Sequence, residues 1–366
     1  MTALLTPGTR YPALLAALSF PGLQRLPASI GPQPSQRDMA SILVAMGTSP
    51  SCQWNLTAGP LATGSLPPIL SGLLDELEEQ REKNRAIAHL LRWEDGVREG
   101  CMLLARAGLP HPIVLKGGAA KYTLYPLPHL RTSADLDLLL PREQVPEAVE
   151  LMERGGFQLV VTDVRRPYTA RHGHQVMLRR GHTIVELHRS IDNLARPSLS
   201  YERLLLDSVP LPDLHPWLRG PSPVDSLLIA AAHALKHGLL VSLRDLVDIQ
   251  LALESSTLDE PLLHRRVREA ALEQALAFLA LQAGSLSGRW TARHSSLAMA
   301  LPWTGALFGE WRYGGNSLGD GFLRKLLAHL FLTPGTASTQ RLLTRFIHRR
   351  GMDLMARGRG GAPLSR

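Results

Sequence analysis

Two acids separated by one residue, Asp135 and Asp137, sit in the run Ala134–Leu140, and a third acid, Glu186, sits in the run Thr183–His188. In a strand alternate side chains share a face. Asp135 and Asp137 therefore lie side by side, while Leu136, Leu138 and Leu140 point the other way into a core. Two carboxylates that close repel each other, and a divalent cation between them removes the conflict. Mg²⁺ takes carboxylate and phosphate oxygens, so a paired-Asp strand suits a metal–nucleotide site. If the Glu186 strand lies beside that of the pair, three carboxylates converge. Such a cluster can hold two metals and activate a hydroxyl for in-line attack on phosphorus, with Glu186 as third ligand or as base.

Other groups sit around these acids. Gly117-Gly118 follows a short apolar run and precedes a helix. Glycines let a backbone approach a ligand closely, and a helix N-terminus offers free N–H groups, a combination that binds phosphate. The pattern is neither GxxxxGK[ST] nor GxGxxG. Lys116 is either a solvated strand-end lysine or a phosphate contact. Arg131, four residues before Asp135, either pairs with the acids or binds a triphosphate. Alternation puts Ile184, Glu186 and His188 on one face, so His188 shares the site. There it orients the acid, contacts substrate or is an ordinary hydrogen-bonded histidine. His233 and His237 share a helix face, and Asp245 and Asp248 follow on the next helix. They read as a polar seam facing a nucleotide or as a helix–helix contact, not as a second metal site. His172, His174 and His182 lack further ligands at zinc spacing.

The elements that must position these groups follow from periodicity. Residues 1–68 are rich in Pro, Gly, Ser and Thr and form an extension with no chemistry of its own. Leu70, Leu73, Leu74 and Leu77 recur at helical spacing, and one long helix is expected over 69–108. From His111 the pattern is mixed: strands at Pro112–Leu115, Ala134–Leu140, Phe157–Val161, His174–Arg180 and Thr183–His188, with a tight turn at Gly181-His182. A short helix follows Gly117, and another spans Val145–Arg154, closed by Gly155-Gly156. From about Pro221 the chain reads as helical: Val224–Gly238, Leu243–Leu253, and further helices over 261–285, 291–301 and 319–332. The expected division is an extension 1–68, a mixed-sheet domain 69–215, a helical domain 216–350 and a basic tail 351–366.

Composition bounds the rest. The 366 residues carry 40 Lys+Arg against 32 Asp+Glu, a formal charge of +8. That excess is mild and scattered, and the basic stretch Arg341–Arg350 has no interleaved aromatics, so a nucleic-acid partner is not expected. Two cysteines, Cys52 and Cys101, form neither a disulfide framework nor a zinc finger. No apolar run reaches the ~18 residues that span a bilayer, and no signal-peptide pattern opens the chain. A cytoplasmic protein is expected.

The segments Leu115-Lys-Gly-Gly, Leu124-Tyr-Pro, Arg131, Ala134-Asp-Leu-Asp-Leu-Leu139 and Val185-Glu-Leu-His188 together resemble a poorly characterised family of bacterial nucleotidyltransferases. That family is similar to a branch of the DNA polymerase beta-like superfamily. The superfamily pattern is a Gly-Gly or Gly-Ser turn, then Asp-x-Asp, then a third acid on a neighbouring strand. Ala232-His-Ala-Leu-Lys-His237 and Leu243-Arg-Asp-Leu-Val-Asp248 extend the likeness, which covers roughly residues 70–330. Two departures stand out: residues 119–134 make a long spacer, and the third acid is Glu where Asp is commoner. The resemblance implies an α/β (α+β) fold, with a nucleotidyltransferase-like mixed sheet followed by an all-helical C-terminal domain and a site in the cleft between them. It implies Mg²⁺ on Asp135, Asp137 and Glu186. An NTP would be held by Lys116, Gly117, Gly118, Arg131, His188 and His233. NMP, AMP by resemblance, would move to an oxygen nucleophile of a small-molecule or peptide acceptor with loss of pyrophosphate. The alternative is a catalytically degenerate module that binds a nucleotide or a partner.

Overall fold

The computed structural model describes residues 68–79, 82–160, 174–192, 196–239, 241–287 and 289–298, with isolated positions 50 and 52. The extension 1–67, the expected helix at 319–332, the stretch Arg341–Arg350 and the tail lie outside the described residues. Among those described, no helix is long and apolar enough to cross a membrane.

Helices α1 (Pro68–Glu79) and α2 (Glu82–Arg106) occupy the stretch expected as one long helix, with residues 80 and 81 outside the description. The mixed region follows: β1 (Ile113–Val114), α3 (Lys116–Thr123), β2 (Asp135–Leu139), α4 (Val145–Arg154), β3 (Gln158–Leu159), β4 (Gln175–Arg180) and β5 (Thr183–His188). Then come α5 (Tyr201–Leu206), β6 (Val209–Pro210) and β7 (Arg219–Gly220). The helices α6 (Pro223–Lys236), α7 (Leu243–Glu254), α8 (Glu260–Glu269), α9 (Glu273–Ser287) and α10 (Ala292–Ala298) complete the described chain.

The seven strands form one mixed sheet in the order β3-β4-β5-β2-β1-β7-β6. β2 and β5 are central and parallel, with Asp137 opposite Glu186 and Leu139 opposite His188. β4 and β5 form the expected hairpin, with Gly181 at φ +58° in its turn. The hairpin β6–β7 and helix α5 were not expected from the sequence. Two-residue strands are too short for alternation to register, and Pro210 and Gly220 are poor strand formers. Proline is tolerated in β6 because that strand is the sheet edge.

The sheet separates two apolar cores. Leu136, Leu138, Val185 and Leu187 pack on one side with Trp93 and Val97 of α2 and Ala148 and Met152 of α4. Ile113, Leu115 and Leu139 join the other core, built mainly from α6, α7, α8 and α9. The odd-numbered face of β2, which carries Asp135 and Asp137, is therefore turned towards the helices. Local signals set the helix starts. Ser222 caps α6 ahead of Pro223, and Ser242 with Asp245 forms a reciprocal capping box on α7.

Candidate functional site

Asp137 and Glu186 are neighbours because β2 and β5 pair in parallel register. His188 lies one pleat further along the same face of β5. One ligand atom from each of Asp137, Glu186 and His188 lies within 4.8 Å of the other two, and all three residues are buried. His188 Nε2 stands 2.7 Å from Asp137 Oδ1 and 3.4 Å from Glu186 Oε2. Gln175 on β4 donates from Nε2 to Glu186 Oε2 at 2.7 Å. Lys116 donates from Nζ to Asp137 Oδ1, also at 2.7 Å.

These contacts set the charges. Burial alone raises a carboxyl pKa, but the hydrogen bonds and charges of His188 and Lys116 hold Asp137 well below the usual carboxylate range. Burial disfavours the Lys116 ammonium, and Asp137 more than offsets this, so its pKa is raised. Asp135 is half-buried on the same face, and burial together with the neighbouring Asp137 charge pushes its carboxyl up. Its main-chain carbonyl accepts from the Trp93 indole at 3.0 Å, which anchors the start of β2 to α2.

The diglycine differs in detail from the expected turn. Neither glycine takes the left-handed conformation; Lys116 does, at φ +50°. Gly117 and Gly118 are buried in the first turn of α3, and both are small because something passes close by. A Cβ at 117 would lie 2.7 Å from the Arg131 guanidinium, and one at 118 would lie 2.9 Å from Val114 Cγ1. The acid that Arg131 pairs with is not one of the β2 pair that its position suggested but Asp248 of α7. Its Nε and Nη2 donate to Asp248, its Nη1 donates to the Thr132 carbonyl, and Tyr125 donates to the same Asp248 at 2.8 Å.

A cleft of about 590 Å³, counting its open mouth, runs between α3 and the pair α6–α7. Leu124, Leu227, Ala230, Val241, Ile249 and Ala252 make it mostly apolar, and Lys116, Ser226, His233, Asp245 and Asp248 supply its polar positions. Lys116 thus touches both the cleft and the acids. His233 stacks near His237 at 4.5 Å between centroids. Burial and then the Lys116 charge lower its pKa to about 3, so it is neutral near pH 7.

Two neighbours of the site, Gln175 and Lys121, were not foreseen, and His174 was weighed only as a zinc ligand. Gln175 holds Glu186, and His174 accepts from Lys236 Nζ at 2.8 Å, beside His188. The tight turn at Gly181-His182 already sets Gln175 opposite His188, but register alone does not show that the Gln175 side chain reaches diagonally to Glu186. Lys121, almost fully buried, lies 3.6 Å from the Trp93 ring centroid. It gave no signal because a lysine on a short helix reads as solvated.

Neither the curated proteins nor the solved structures give a match. A family model described as an uncharacterised nucleotidyltransferase matches residues 47–288. That span contains every group placed above.

Proposed function

The chain belongs to this uncharacterised nucleotidyltransferase family, and we propose that it moves NMP, AMP by resemblance, from an NTP to an oxygen nucleophile of a small-molecule or peptide acceptor. The observation that carries the reading is the parallel pairing of Asp137 with Glu186 on the sheet face turned to the helices, with Lys116 both bonded to Asp137 and lining the cleft.

The residues fit a divalent cation. Asp137 and Glu186 offer buried oxygens, and Asp135 adds a third carboxyl on the same face. Asp137 and Glu186 would hold the ion, Mg²⁺ by resemblance, with Asp135 beside them on the same face but outside the group of atoms that close within 4.8 Å; when bound the ion would neutralise phosphate charge and polarise phosphorus. The apolar cleft wall suits a nucleobase, and neutral His233, which lines the cleft, would hydrogen-bond the nucleoside. Lys116, charged at neutral pH, and the free N–H groups of the first turn of α3 meet the phosphates at the cleft's inner end. Arg131 acts through Asp248: it fixes α7, and with it the cleft wall, against the sheet.

In the step itself the acceptor oxygen forms a bond to the α-phosphorus. The α–β bridging bond breaks, pyrophosphate leaves with the electron pair, and the hydroxyl proton passes to a carboxylate of the cluster. Catalysis is positioning and charge neutralisation.

The test is pyrophosphate release from each NTP with a divalent cation and cell extract, with mass spectrometry to identify the modified species. Asp137→Asn is expected to lower release at least a hundredfold, on the order of the loss when a metal shell is damaged, with the far-UV circular dichroism unchanged. Release that survives Asp137→Asn overturns the reading. NTP binding with no transfer to any acceptor points to the non-catalytic module instead.

A further inference from the structure

His188 is the most deeply buried member of the acid cluster, about 1% exposed. Here Nδ1 is buried with no hydrogen-bond partner, while Nε2 is aimed between the carboxylates of Asp137 and Glu186. All the polar contact of this ring is therefore directed at the two acids. Asp135 stands outside that set: the three atoms that close on one point come from Asp137, Glu186 and His188. The donor set is two oxygens and one imidazole nitrogen. Imidazole binds first-row transition cations far better than Mg²⁺, which demands oxygen and dehydrates reluctantly.

We propose that His188 is a nitrogen ligand to the cation held by Asp137 and Glu186, and that it tips the site towards a first-row transition cation over Mg²⁺. The proposal rests on the transferase reading for the site's purpose, but its test needs no nucleotide. The backbone makes the set possible: β5 presents Glu186 and His188 on one face two residues apart, and β2 brings Asp137 level with Glu186.

The experiment uses the full chain and Mn²⁺ alone. Pulsed electron paramagnetic resonance of the Mn²⁺-loaded protein is expected to show ¹⁴N coupling from a directly bound imidazole. That coupling changes isotope pattern when histidine is ¹⁵N-labelled and disappears in His188→Gln. Glutamine can still donate to Asp137, so this variant keeps a positioning hydrogen bond while removing the ligand nitrogen. Its Mn²⁺ affinity should fall at least tenfold more than its Mg²⁺ affinity, measured by competition. His188→Asn, too short for either role, should lose Mn²⁺ selectivity equally and serves if the glutamine variant does not fold. No histidine coupling, no Mn²⁺ binding, or an equal loss for both metals overturns the proposal. If the coupling is absent while the wild type still releases pyrophosphate in an Asp137-dependent way, the ligand assignment alone falls. If it is present with no transfer, the transferase reading alone falls.

Discussion

One oxygen of Asp137 accepts from both the Lys116 ammonium and the His188 ring. Lys116 is thus an internal counter-ion, held there by a left-handed backbone that costs a non-glycine residue about 1–2 kcal/mol. The glycines next to it are required for space. Gly117→Ala would push a methyl into a guanidinium pinned by Asp248. It is expected to lower stability by about 1–3 kcal/mol, read as a shift in the urea midpoint at unchanged slope. A wild-type midpoint would mean that Arg131 yields freely. Lys121 gives a different signature. Burial pushes its ammonium down to about 7, and the Trp93 face pulls the other way. Since its folded pKa lies below the unfolded value, the unfolded chain binds the extra proton between about pH 7 and 10.5. Stability should therefore rise with pH across that window, by at most about 1.4 kcal/mol per unit. Lys121→Met should remove this rise. The difference between variant and wild type in urea midpoints at pH 7, 8 and 9 checks it, and parallel profiles would refute it.

Among elements, the decisive relation is that of α7 to the sheet. Arg131, in the loop before β2, reaches across to α7 through Asp248 and, at 3.9 Å, Asp245. Breaking one side of a buried pair is worse than removing both. Asp248→Ala should cost about 3–5 kcal/mol, because it strands a guanidinium that is nearly inaccessible to water. Adding Arg131→Met should recover at least about 1 kcal/mol, giving a non-additive double-mutant cycle in urea unfolding. Strict additivity would show that the pair does not tie the elements together. Much of this level was legible in the sequence. Asp-x-Asp between leucines, and the alternation that puts Glu186 with His188, rest on the period of a strand, which any single stretch displays. The partner of Arg131 was not legible, since a contact spanning more than a hundred residues leaves no local trace. Nor were Gln175 and the β6–β7 hairpin. The first depends on a diagonal side-chain contact that the hairpin register permits but does not dictate, and the second on strands too short to alternate.

At the scale of the whole molecule, the fold class was readable because strands interleaved with helices α3 to α5 occupy the middle of the described chain, and helices α6 to α10 alone follow. What periodicity could not supply was the side of the sheet that faces the helices. That is decided by which face carries Ile113, Leu115 and Leu139, and those three are buried in the same core as α6, α7 and α9. The acid-bearing surface is thus half carboxylate and half grease, and the grease is covered by chain that comes a hundred residues later. A shortened polypeptide ending near Gly220 would keep every acid of the cluster yet expose that oily strip to solvent and lose the far wall of the cleft. The acid-bearing part of the chain is for this reason not expected to fold or act on its own, and trimming experiments in search of a minimal unit should stop short of α6 and α7.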